Sequence, residues 1–399
     1  MSVTLKEINS CEVCGNESLY DVLDLGLHPL CDDLVEIGEE RECKEFPIVI
    51  QHCATCHTSH QKYQVPKEHL FTFDYHYRAR MTSSVLSGMK QLVLSTSEHI
   101  GNLAGKFVID VGCNDGSLLE IFEKEGSMVL GVEPTSAALD CNVTVINSYF
   151  DDECVNQILK EHGKADIITF TNVFAHIENL NNLLNNVDRL LKADGVLVIE
   201  NHYLGAVLDT GQFDTFYHEH PRTYSETSFR FIAKKLNRNL EKIEYVSRYG
   251  GNIRVFVGAG EDTKAHKNER DILDRYSVLR DDIVAWKVKK SKEINALVNK
   301  YGPIPAKAFP GRAAILIKLL SLSENEIDAV YEITGSLKTG HYVPGTRIPI
   351  LPEKDLFNKV VDTPILNLAW HLPSEVRTNL ENNGLHANVL DIKDANFAG

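Results

Sequence analysis

The sequence lacks any apolar run that approaches about 18 residues, the length that a membrane-spanning helix requires. Its first residues, MSVTLKEINSCEVC, also lack the apolar segment of a secretory signal peptide. Basic side chains are in the minority, because 41 Lys and Arg stand against 56 Asp and Glu and leave a formal net charge of −15. We therefore expect a cytoplasmic protein that spans no membrane and does not bind nucleic acids through their phosphates. We also expect a monomer.

Internal repeats and low-complexity segments are absent too. The apolar fraction of 43% and the charged fraction of 24% are those of an ordinary soluble globular protein. A chain of 399 residues is long enough for two or three domains. The pattern along the chain predicts three, at residues 1–65, 66–260 and 261–399.

Nine cysteines are present, and in a cytoplasmic protein they indicate thiols or metal ligands rather than disulfides. Four of them form two C-x-x-C pairs, which let four thiolates meet tetrahedrally at one Zn²⁺. The predicted ligands of this zinc ion are Cys11, Cys14, Cys53 and Cys56. Such a site is structural rather than catalytic, because no coordination position stays open. A redox-active dithiol is the alternative.

Other side chains near the two pairs have less defined roles. Three histidines surround the second pair and could replace a cysteine as ligands, namely His52, His57 and His60. Cys31 and Cys43 lie between the two pairs and are interpreted as plain thiols.

The stretch Phe107–Glu120, FVIDVGCNDGSLLE, predicts a buried strand, a tight turn and a helix. The two glycines of the turn let the backbone bend sharply and a ligand approach it closely. A second strand, Met128–Pro134, ends in Glu133, an acid placed to accept the ribose hydroxyls of a nucleoside. Asn114 stands where a dinucleotide site has its middle glycine, so the turn resembles the S-adenosylmethionine (SAM) site of class I methyltransferases. A Rossmann-like turn that binds no nucleotide is the alternative.

Alternating strands and helices follow, with strands predicted at 166–171, 195–200, 242–247 and 252–258. The last two are too close together for an intervening helix and predict an antiparallel pair that closes the sheet. Ligands bind at the carboxyl ends of parallel strands, so Asn172–His176, Asn201 and His202 should line one cleft with Glu133. The predicted cofactor contacts are Asp110, Gly112, Asn114, Asp115, Gly116, Glu133, Pro134 and Asn172.

A second chemically dense stretch is Phe213–His220, FDTFYHEH. It places Tyr217, His218, Glu219 and His220 in consecutive positions. Histidine titrates near neutral pH and can act as a general base, while a neighbouring carboxylate orients its ring. We therefore predict catalysis here, with a metal site at the two histidines or a surface cluster without catalytic function as alternatives.

The remaining segments are less specific. The aromatic-rich stretch 71–77 precedes a helical pattern and is either a core-packing linker or a lid over the active site. Residues 261–300 predict one or two long helices, and 301–399 return to α/β alternation. Gly335–Ile350 is either an ordinary loop or a phosphate-binding loop with Lys338, His341 and Arg347 as its cationic face.

The motifs also occur together, in this order, in a known family. CxxC…CxxC, DVGCNDG…GVEP, NVFAH, FDTFYHEH and the Gly335–Ile350 loop together resemble the bacterial sugar C-methyltransferases, over nearly the whole chain. That family acts on nucleotide-linked 4-keto deoxysugars. The resemblance implies an α/β protein with an N-terminal Cys₄ zinc-binding domain, a central class I Rossmann-like methyltransferase domain that binds SAM, and a C-terminal α/β domain that helps to hold the nucleotide-sugar.

The resemblance also assigns roles by position. The family's active-site tyrosine, glutamate and histidine fall on Tyr217, Glu219 and His220, and the histidine of its N-V-x-A-H stretch falls on His176. One of two further tyrosines, Tyr75 in preference to Tyr77, matches another active-site tyrosine. The chain departs from the family where Asn201 and His202 replace a proline or tyrosine, and at residues 309–314, where the family has a glycine-rich turn.

The implied reaction is SAM-dependent methylation of a carbon beside the ketone of a TDP- or GDP-linked sugar, at C-3′, through an enolate. We expect His220, with Tyr217 as the alternative, to remove the proton, and Tyr217 or His176 to bind the enolate oxygen. An O- or N-methyltransferase acting on another activated small molecule and a non-catalytic zinc and Rossmann scaffold are alternatives. A nucleic-acid methyltransferase is disfavoured by the net charge of −15.

Overall fold

The computed structural model describes residues 3–71, 78–81, 83–267, 269–358 and 362–394. No helix among these residues is both long enough and apolar enough to cross a membrane. The chain divides into two compact units, each assembled from several segments. The first unit is Met1–Tyr20, Gln51–Ala206 and Glu219–Ile272, and the second is Asp21–Ile50, Val207–His218 and Leu273–Gly399. The two cysteine pairs and the glycine turn thus lie in the same unit, while the division into three domains stays a prediction.

Strands are numbered along the described residues. They are β1 (Lys6–Glu7), β2 (Tyr20–Pro29), β3 (Val35–Glu36), β4 (Glu45–Cys53), β5 (Thr58–Gln61), β6 (Tyr63–Gln64), β7 (Phe107–Val111), β8 (Met128–Val132), β9 (Val145–Ile146), β10 (Ala165–Thr171), β11 (Leu191–His202), β12 (Arg222–Thr223), β13 (Asn239–Val246), β14 (Asn252–Gly258), β15 (Ile304–Lys307), β16 (Ile327–Glu332), β17 (His341–Tyr342), β18 (Ile350–Pro352), β19 (Ile365–Asn367) and β20 (Val389–Asp391).

The α-helices are numbered in the same way. They are α1 (Lys67–Leu70), α2 (Ser83–Ile100), α3 (Ser117–Lys124), α4 (Asp152–Glu161), α5 (Leu180–Leu190), α6 (Leu204–Asp209), α7 (Glu226–Lys235), α8 (Ile272–Tyr301), α9 (Ala313–Leu319), α10 (Glu353–Phe357) and α11 (Pro373–Asn382).

The first unit is organised around a seven-stranded sheet with the order β13-β14-β11-β10-β7-β8-β9. The strands from β11 to β9 pair in parallel, whereas β14 pairs antiparallel with both β11 and β13. The predicted antiparallel pair is therefore confirmed. Smaller antiparallel pairings join β1 to β6 and β5 to β12 in the same unit.

Both faces of this sheet are covered by apolar cores. Successive side chains of a strand point to opposite faces, so one strand contributes to both cores. In β7, Ile109 and Val111 belong to one apolar core and Val108 to another. The first core also contains side chains of α4, α5 and α7, and the second contains those of α2 and α3. All five β7 residues are buried, which matches the continuous apolar run that predicted this strand.

Helix starts are fixed by the side chains that precede them. Asp151 caps α4, since its side chain accepts a hydrogen bond of 3.0 Å from the backbone N–H of Cys154. Ser225 caps α7 in a reciprocal capping box with Ser228. Each cap satisfies backbone donors that have no partner within the helix.

The second unit has a five-stranded sheet with the order β18-β16-β15-β19-β20, in which all pairings are parallel. The short strands β3 and β17 form a separate antiparallel pair in this unit. The region predicted to hold one or two long helices forms the single helix α8 of 30 residues. The predicted return to α/β alternation after residue 300 is also confirmed.

Candidate functional site

The turn after β7 is shaped by three residues in the left-handed backbone region. Gly112, Asn114 and Gly116 have φ angles of 70°, 51° and 76°. A Cβ atom added to Gly112 would lie 2.6 Å from both γ-methyl carbons of Val173. The glycine therefore lets the turn touch Asn172–His176, the segment that follows β10.

Glu133 ties the end of β8 to this turn. One carboxylate oxygen accepts a hydrogen bond of 3.0 Å from the backbone N–H of Asn114, and the other accepts bonds of 2.9 and 2.6 Å from the N–H and hydroxyl of Thr135. The carboxylate is 5% exposed. Each oxygen has a further lone pair, so the predicted contact with a ribose hydroxyl is compatible with these bonds.

Asp110, the acid inside β7, is buried and accepts a hydrogen bond of 2.6 Å from the Thr169 hydroxyl. Burial raises its pKa to about 7, with a further contribution from the negative charge of Glu133, although the bond from Thr169 opposes the shift. Asp110 thus links β7 to β10 through its bond with Thr169. Its carboxyl group has a pKa near neutrality.

The other predicted cofactor residues have structural partners. Asp115 accepts hydrogen bonds from the backbone and hydroxyl of Ser117, the first residue of α3, and from the backbone N–H of Arg80 at 2.8 Å. The side-chain oxygen of Asn114 accepts a bond of 2.9 Å from the backbone N–H of Ala79. Pro134 is half-buried. Hydrogen bonds from the backbone of Ala79 and Arg80 therefore hold the turn in place.

Asn172 begins the segment that Gly112 approaches. Its φ is 55°, and its backbone N–H donates a bond of 2.7 Å to the carbonyl of Glu200 in β11. Its side-chain oxygen accepts a bond of 3.0 Å from the amide of Asn252 in β14. Asn172 is thus fixed by both neighbouring strands.

Three histidines from different parts of the first unit meet beside this segment. The rings of His176 and His220 are stacked with centroids 4.9 Å apart and an interplanar angle of 29°. The ring of His202 meets that of His220 edge-on at 5.4 Å. Phe71 also stacks on His176, with ring centroids 5.2 Å apart. Desolvation by the surrounding protein holds the pKa of His176 well below its usual value, and His220 lowers that pKa further. His176 is therefore neutral at neutral pH.

Two of these histidines, His202 and His220, border an open cleft. Its walls are Asn172, Ala175, Asn201, His202, His220, Arg222 and Thr223. Asn172 directly follows β10, and Asn201 and His202 end β11, so the cleft opens at the carboxyl ends of two adjacent parallel strands. Of the residues that the strand ends predict for one cleft, Asn172, Ala175, Asn201 and His202 line it, together with Arg222 and Thr223. Glu133 and His176, predicted for the same cleft, are not among its lining residues.

Arg222 is a site residue that the sequence interpretation missed. Its guanidinium is fully buried and donates hydrogen bonds to the hydroxyl of Tyr224, to the carboxylate of Glu12 and to the carbonyls of Ile177 and Glu178. Burial would raise the pKa of Glu12, but the charge of Arg222 holds it well below its usual range. The only sequence signal for this role is that Arg222 stands two residues after His220.

The FDTFYHEH stretch is divided between the two units. Tyr217 and His218 belong to the second unit, and Glu219 and His220 to the first. His218 is buried and its Nε2 lies 3.1 Å from the carbonyl oxygen of Phe46. Tyr75 and Tyr77 lie outside the described residues, as does most of the stretch interpreted as a lid or linker.

The four cysteines of the two C-x-x-C pairs converge in the first unit. The Cys11 and Cys56 sulfurs are 3.4 Å apart, the Cys14 and Cys53 sulfurs are 3.5 Å apart, and all four lie within 4.8 Å of one another. A tetrahedral site with Zn–S bonds of about 2.3 Å needs sulfur separations of about 3.8 Å. The donor set and spacing therefore fit a structural zinc ion.

Neighbours of the cysteine cluster support this fit. His60 is buried with Nε2 3.3 Å from the Cys11 sulfur, so it is placed to donate to a thiolate rather than to replace it. Cys31 and Cys43 are outside the cluster, and the Cys43 thiol lies 3.1 Å from the carbonyl oxygen of Asp33. Across the described part of the chain, no other group of three or more His, Cys, Asp or Glu could hold a metal, which disfavours a metal site at His218 and His220.

The cationic side chains of the loop at 335–350 in the second unit lie close to backbone carbonyls of the chain. The ammonium of Lys338 donates to the carbonyl of Phe309 at 3.1 Å, and Nδ1 of His341 lies 3.2 Å from the Lys338 carbonyl oxygen. The guanidinium of Arg347 donates to three carbonyls in residues 39–41. Lys338 and Arg347 thus donate to backbone carbonyls of the chain itself. The interpretation as an ordinary loop is therefore simpler than that as a phosphate-binding loop.

Known proteins match the chain over most of its length. Three family models match in succession, namely a zinc binding domain over residues 11–71, a methyltransferase domain over residues 77–243 and a C-methyltransferase C-terminal domain over residues 247–386. The C-methyltransferase NovU of Streptomyces niveus is 28% identical over 407 aligned positions, which cover 96% of each chain.

Other similarities are partial. A ubiquinone biosynthesis O-methyltransferase of Glaesserella parasuis is 31% identical over 113 residues, which are 26% of this chain and 48% of the relative. Among solved structures, magnesium protoporphyrin IX methyltransferase from Synechocystis with bound SAH is 16% identical and covers 44% of this chain and 83% of its own, with a TM-score of 0.35. The similarity to a C-methyltransferase thus extends along the whole chain, whereas the similarity to the O-methyltransferase covers about a quarter of it.

Proposed function

We propose that this chain, which belongs to the SAM-dependent C-methyltransferases, methylates the C-3′ carbon beside the ketone of a TDP- or GDP-linked 4-keto deoxysugar. The observation that carries the proposal is the stacked pair of His176 and His220, of which His220 lines the cleft where β10 and β11 end. A pair of imidazoles at a ligand-binding edge suits proton abstraction from carbon more than methylation of an oxygen or nitrogen that is already nucleophilic.

The cofactor would be held by the turn after β7 and by the end of β8. Gly112, Asn114, Gly116 and Glu133 present a close backbone approach and a buried carboxylate, which fit a nucleoside with an amino-acid end. When bound, SAM supplies an electrophilic methyl group. The chain's own task is to position the substrate and to move protons.

His220 and His176 have different roles in proton transfer. A ketone acidifies hydrogen on the adjacent carbon, and His220 removes that proton as the general base. His176 is neutral at neutral pH because desolvation lowers its pKa, so a ring N–H can donate a hydrogen bond to the enolate oxygen. Tyr217 is the other candidate donor, and Glu219 orients the neighbouring histidine.

Zinc would serve the fold and not the reaction. The four sulfurs close a tetrahedral set, which leaves no position for a substrate. Arg222 bonds Glu12, which lies inside the first C-x-x-C pair, and also lines the cleft. A bound zinc ion would therefore help to fix one wall of the cleft through this pair.

The experiment incubates the protein with SAM and a panel of TDP- and GDP-4-keto-6-deoxysugars, and follows a mass gain of about 14 daltons. In a second assay, SAM is replaced by S-adenosylhomocysteine in D₂O, and exchange of the hydrogen beside the ketone is measured by NMR. Both signals are expected. Methylation of an oxygen or nitrogen, without exchange at carbon, would favour the small-molecule O- or N-methyltransferase instead.

A further inference from the structure

Asn201 is a buried amide in the wall of the cleft that has no hydrogen-bond partner on its side chain among the described residues. The residue is 1% exposed, and both Oδ1 and Nδ2 lie out of contact with solvent and without a partner. It is the penultimate residue of β11 and borders the same space as His220 and His202. An unpaired buried amide destabilises a protein, so its position at a ligand-binding edge needs an explanation.

The neighbouring asparagines of the first unit show the contrast. Asn252 donates from its amide to Asn172 at 3.0 Å and to Glu200 at 3.3 Å. Asn172 receives that bond on its side-chain oxygen. These two amides hold the strand ends together. Within the part of the chain that the structure describes, the amide of Asn201 makes no such bond, which leaves two donor hydrogens and one acceptor oxygen for another partner.

Arg222, the cation in the wall of the cleft, is committed to internal bonds. Arg222 is already bonded to Glu12, Tyr224 and two carbonyls. Among the residues that the structure describes, none that lines the cleft is a carboxylate, and the Asn201 amide is one of the neutral groups there that can both donate and accept.

We propose that Asn201 binds the substrate through both halves of its amide, and that the substrate is therefore an α-hydroxy ketone. The Nδ2 group donates to the ketone oxygen, and Oδ1 accepts from a hydroxyl on the adjacent carbon. This inference rests on the proposed function and adds a requirement to it, namely a hydroxyl beside the ketone. The donor also strengthens its bond as the ketone oxygen gains negative charge in the enolate, so part of its effect falls on kcat.

The same geometry predicts an unusual effect on stability. Replacing a buried amide that has no partners with an apolar side chain of similar size removes a desolvation penalty and breaks no internal bond. The substrate-free Asn201→Leu protein should therefore unfold at the same or a higher urea concentration than the wild type. A functional group that lowers stability in the free protein is typical of binding sites.

Asn186 provides a matched control. It is also fully buried and its Nδ2 also has no partner, but it lies in α5, and its Oδ1 accepts a bond of 3.0 Å from Arg189. Asn186→Leu breaks that bond, so it should lower the urea midpoint while leaving the kinetics unchanged. Asn186→Leu should thus lower stability without affecting catalysis, whereas Asn201→Leu should impair catalysis without lowering stability.

The test measures kcat and KM for TDP-4-keto-6-deoxyglucose and for its 3-deoxy analogue with the wild type, Asn201→Leu, Asn201→Asp and Asn186→Leu. We expect Asn201→Leu to lower kcat/KM by about 100-fold or more for the hydroxy ketone. A site that hydrogen-bonds a substrate hydroxyl loses much of its kcat/KM when one of the two bonding groups is removed. The wild type should prefer the hydroxy ketone by a similar factor, and Asn201→Leu should lose most of that preference. Asn201→Asp keeps the acceptors and loses the donor, so it should retain the preference but lower kcat.

Two outcomes would overturn the inference. One is an Asn201→Leu protein with normal kcat/KM or with the wild-type preference for the hydroxyl. The other is a lowered urea midpoint in the free Asn201→Leu protein, which would show that the amide is satisfied internally.

A wild type that methylates no nucleotide-sugar would instead contradict the proposed function. The role of Asn201 is then decided by thermal unfolding with dihydroxyacetone, an α-hydroxy ketone, against acetone at equal concentration. Stabilisation by dihydroxyacetone alone, lost in Asn201→Leu, supports the inference, and its absence in the wild type overturns it.

Discussion

The imidazole rings of His176 and His220 lie stacked with centroids 4.9 Å apart, although 44 positions separate them in the chain. The pKa of His176 is held well below its usual value by desolvation, with His220 as the second cause. Two adjacent cations would repel each other, so protonation of one ring opposes protonation of the other. This coupling lets one ring accept a proton from carbon while the other stays a neutral donor.

The first prediction concerns the base. His220→Asn should lower kcat by about 10²–10⁴-fold and abolish hydrogen–deuterium exchange beside the ketone, because the proton acceptor is gone. SAM affinity, measured by calorimetry, should stay within about 3-fold of the wild type. His162→Asn, an exposed histidine at the end of α4, is the control and should keep both activities. Normal exchange in His220→Asn would transfer the base role to Tyr217 or His176.

The second prediction concerns the approach of the cofactor turn to the segment after β10. Gly112→Ala should weaken SAM binding by about 10-fold or more, because it combines the cost of left-handed backbone with a collision against Val173. Gly163→Ala is the matched control, since Gly163 has a φ of 80° and open space around its Cβ position. It should cost about 1 kcal/mol of stability and leave SAM binding intact.

A double variant checks the cause. Adding Val173→Ala to Gly112→Ala relieves the collision and should restore part of the affinity, while the backbone strain remains. Wild-type SAM affinity in Gly112→Ala alone would show that the turn does not need this close approach.

The third prediction concerns Glu133. Glu133→Ala should weaken SAM binding by about 10-fold or more, because charged acceptors contribute about 1.5–3 kcal/mol through their hydrogen bonds. The loss has two sources, the predicted ribose contact and the bond from the backbone of Asn114 that shapes the turn. Glu133→Gln keeps one acceptor oxygen and should lose less. Glu123→Ala, on the exposed side of α3, should bind normally, and an unchanged Glu133→Ala would place the ribose elsewhere.

The fourth prediction concerns zinc. Purified protein should contain about one Zn²⁺ per chain, and Cys56→Ser should lose it. Cys154→Ser is the control, since Cys154 is also buried in the first unit but stands outside the cluster. Chelation should unfold the N-terminal region, observed as protease sensitivity, because ion binding and folding are coupled. Metal analysis that finds no ion in the wild type would leave the redox dithiol as the alternative.

The fifth prediction concerns acid. Burial lowers the pKa of His218 to about 4, so the unfolded state binds a proton there before the folded state does. The free energy of unfolding should be unaffected by this group above about pH 6.5 and should fall by about 3 kcal/mol as pH drops from about 6.5 to about 4. Urea unfolding at several pH values measures this slope. His218→Gln should make the fall about 3 kcal/mol smaller than in the wild type, and His386→Gln, at an exposed histidine, should leave it unchanged.

Much of the local structure could be predicted because short-range constraints fix it. The antiparallel pair β13 and β14 followed from a spacing too short for a helix, and the structure confirms it. The four zinc ligands followed from cysteine pairs whose spacing suits one ion, and their sulfurs do converge. The glycine turn followed from residue types that tolerate left-handed backbone, and Gly112 and Gly116 adopt it.

The sequence by itself thus determined the α/β class, the cysteine cluster and the cleft-facing ends of β10 and β11, because each depends on spacing within a few residues or on alternation along a strand. Only the tertiary structure decided that Arg222 bonds Glu12, that His202 and His176 both meet His220, and that the FDTFYHEH stretch is divided between two units. It also decided that the Asn201 side chain has no hydrogen-bond partner among the residues that the structure describes. These relationships depend on how distant segments pack, and a side chain's partners are set by that packing rather than by its neighbours in sequence.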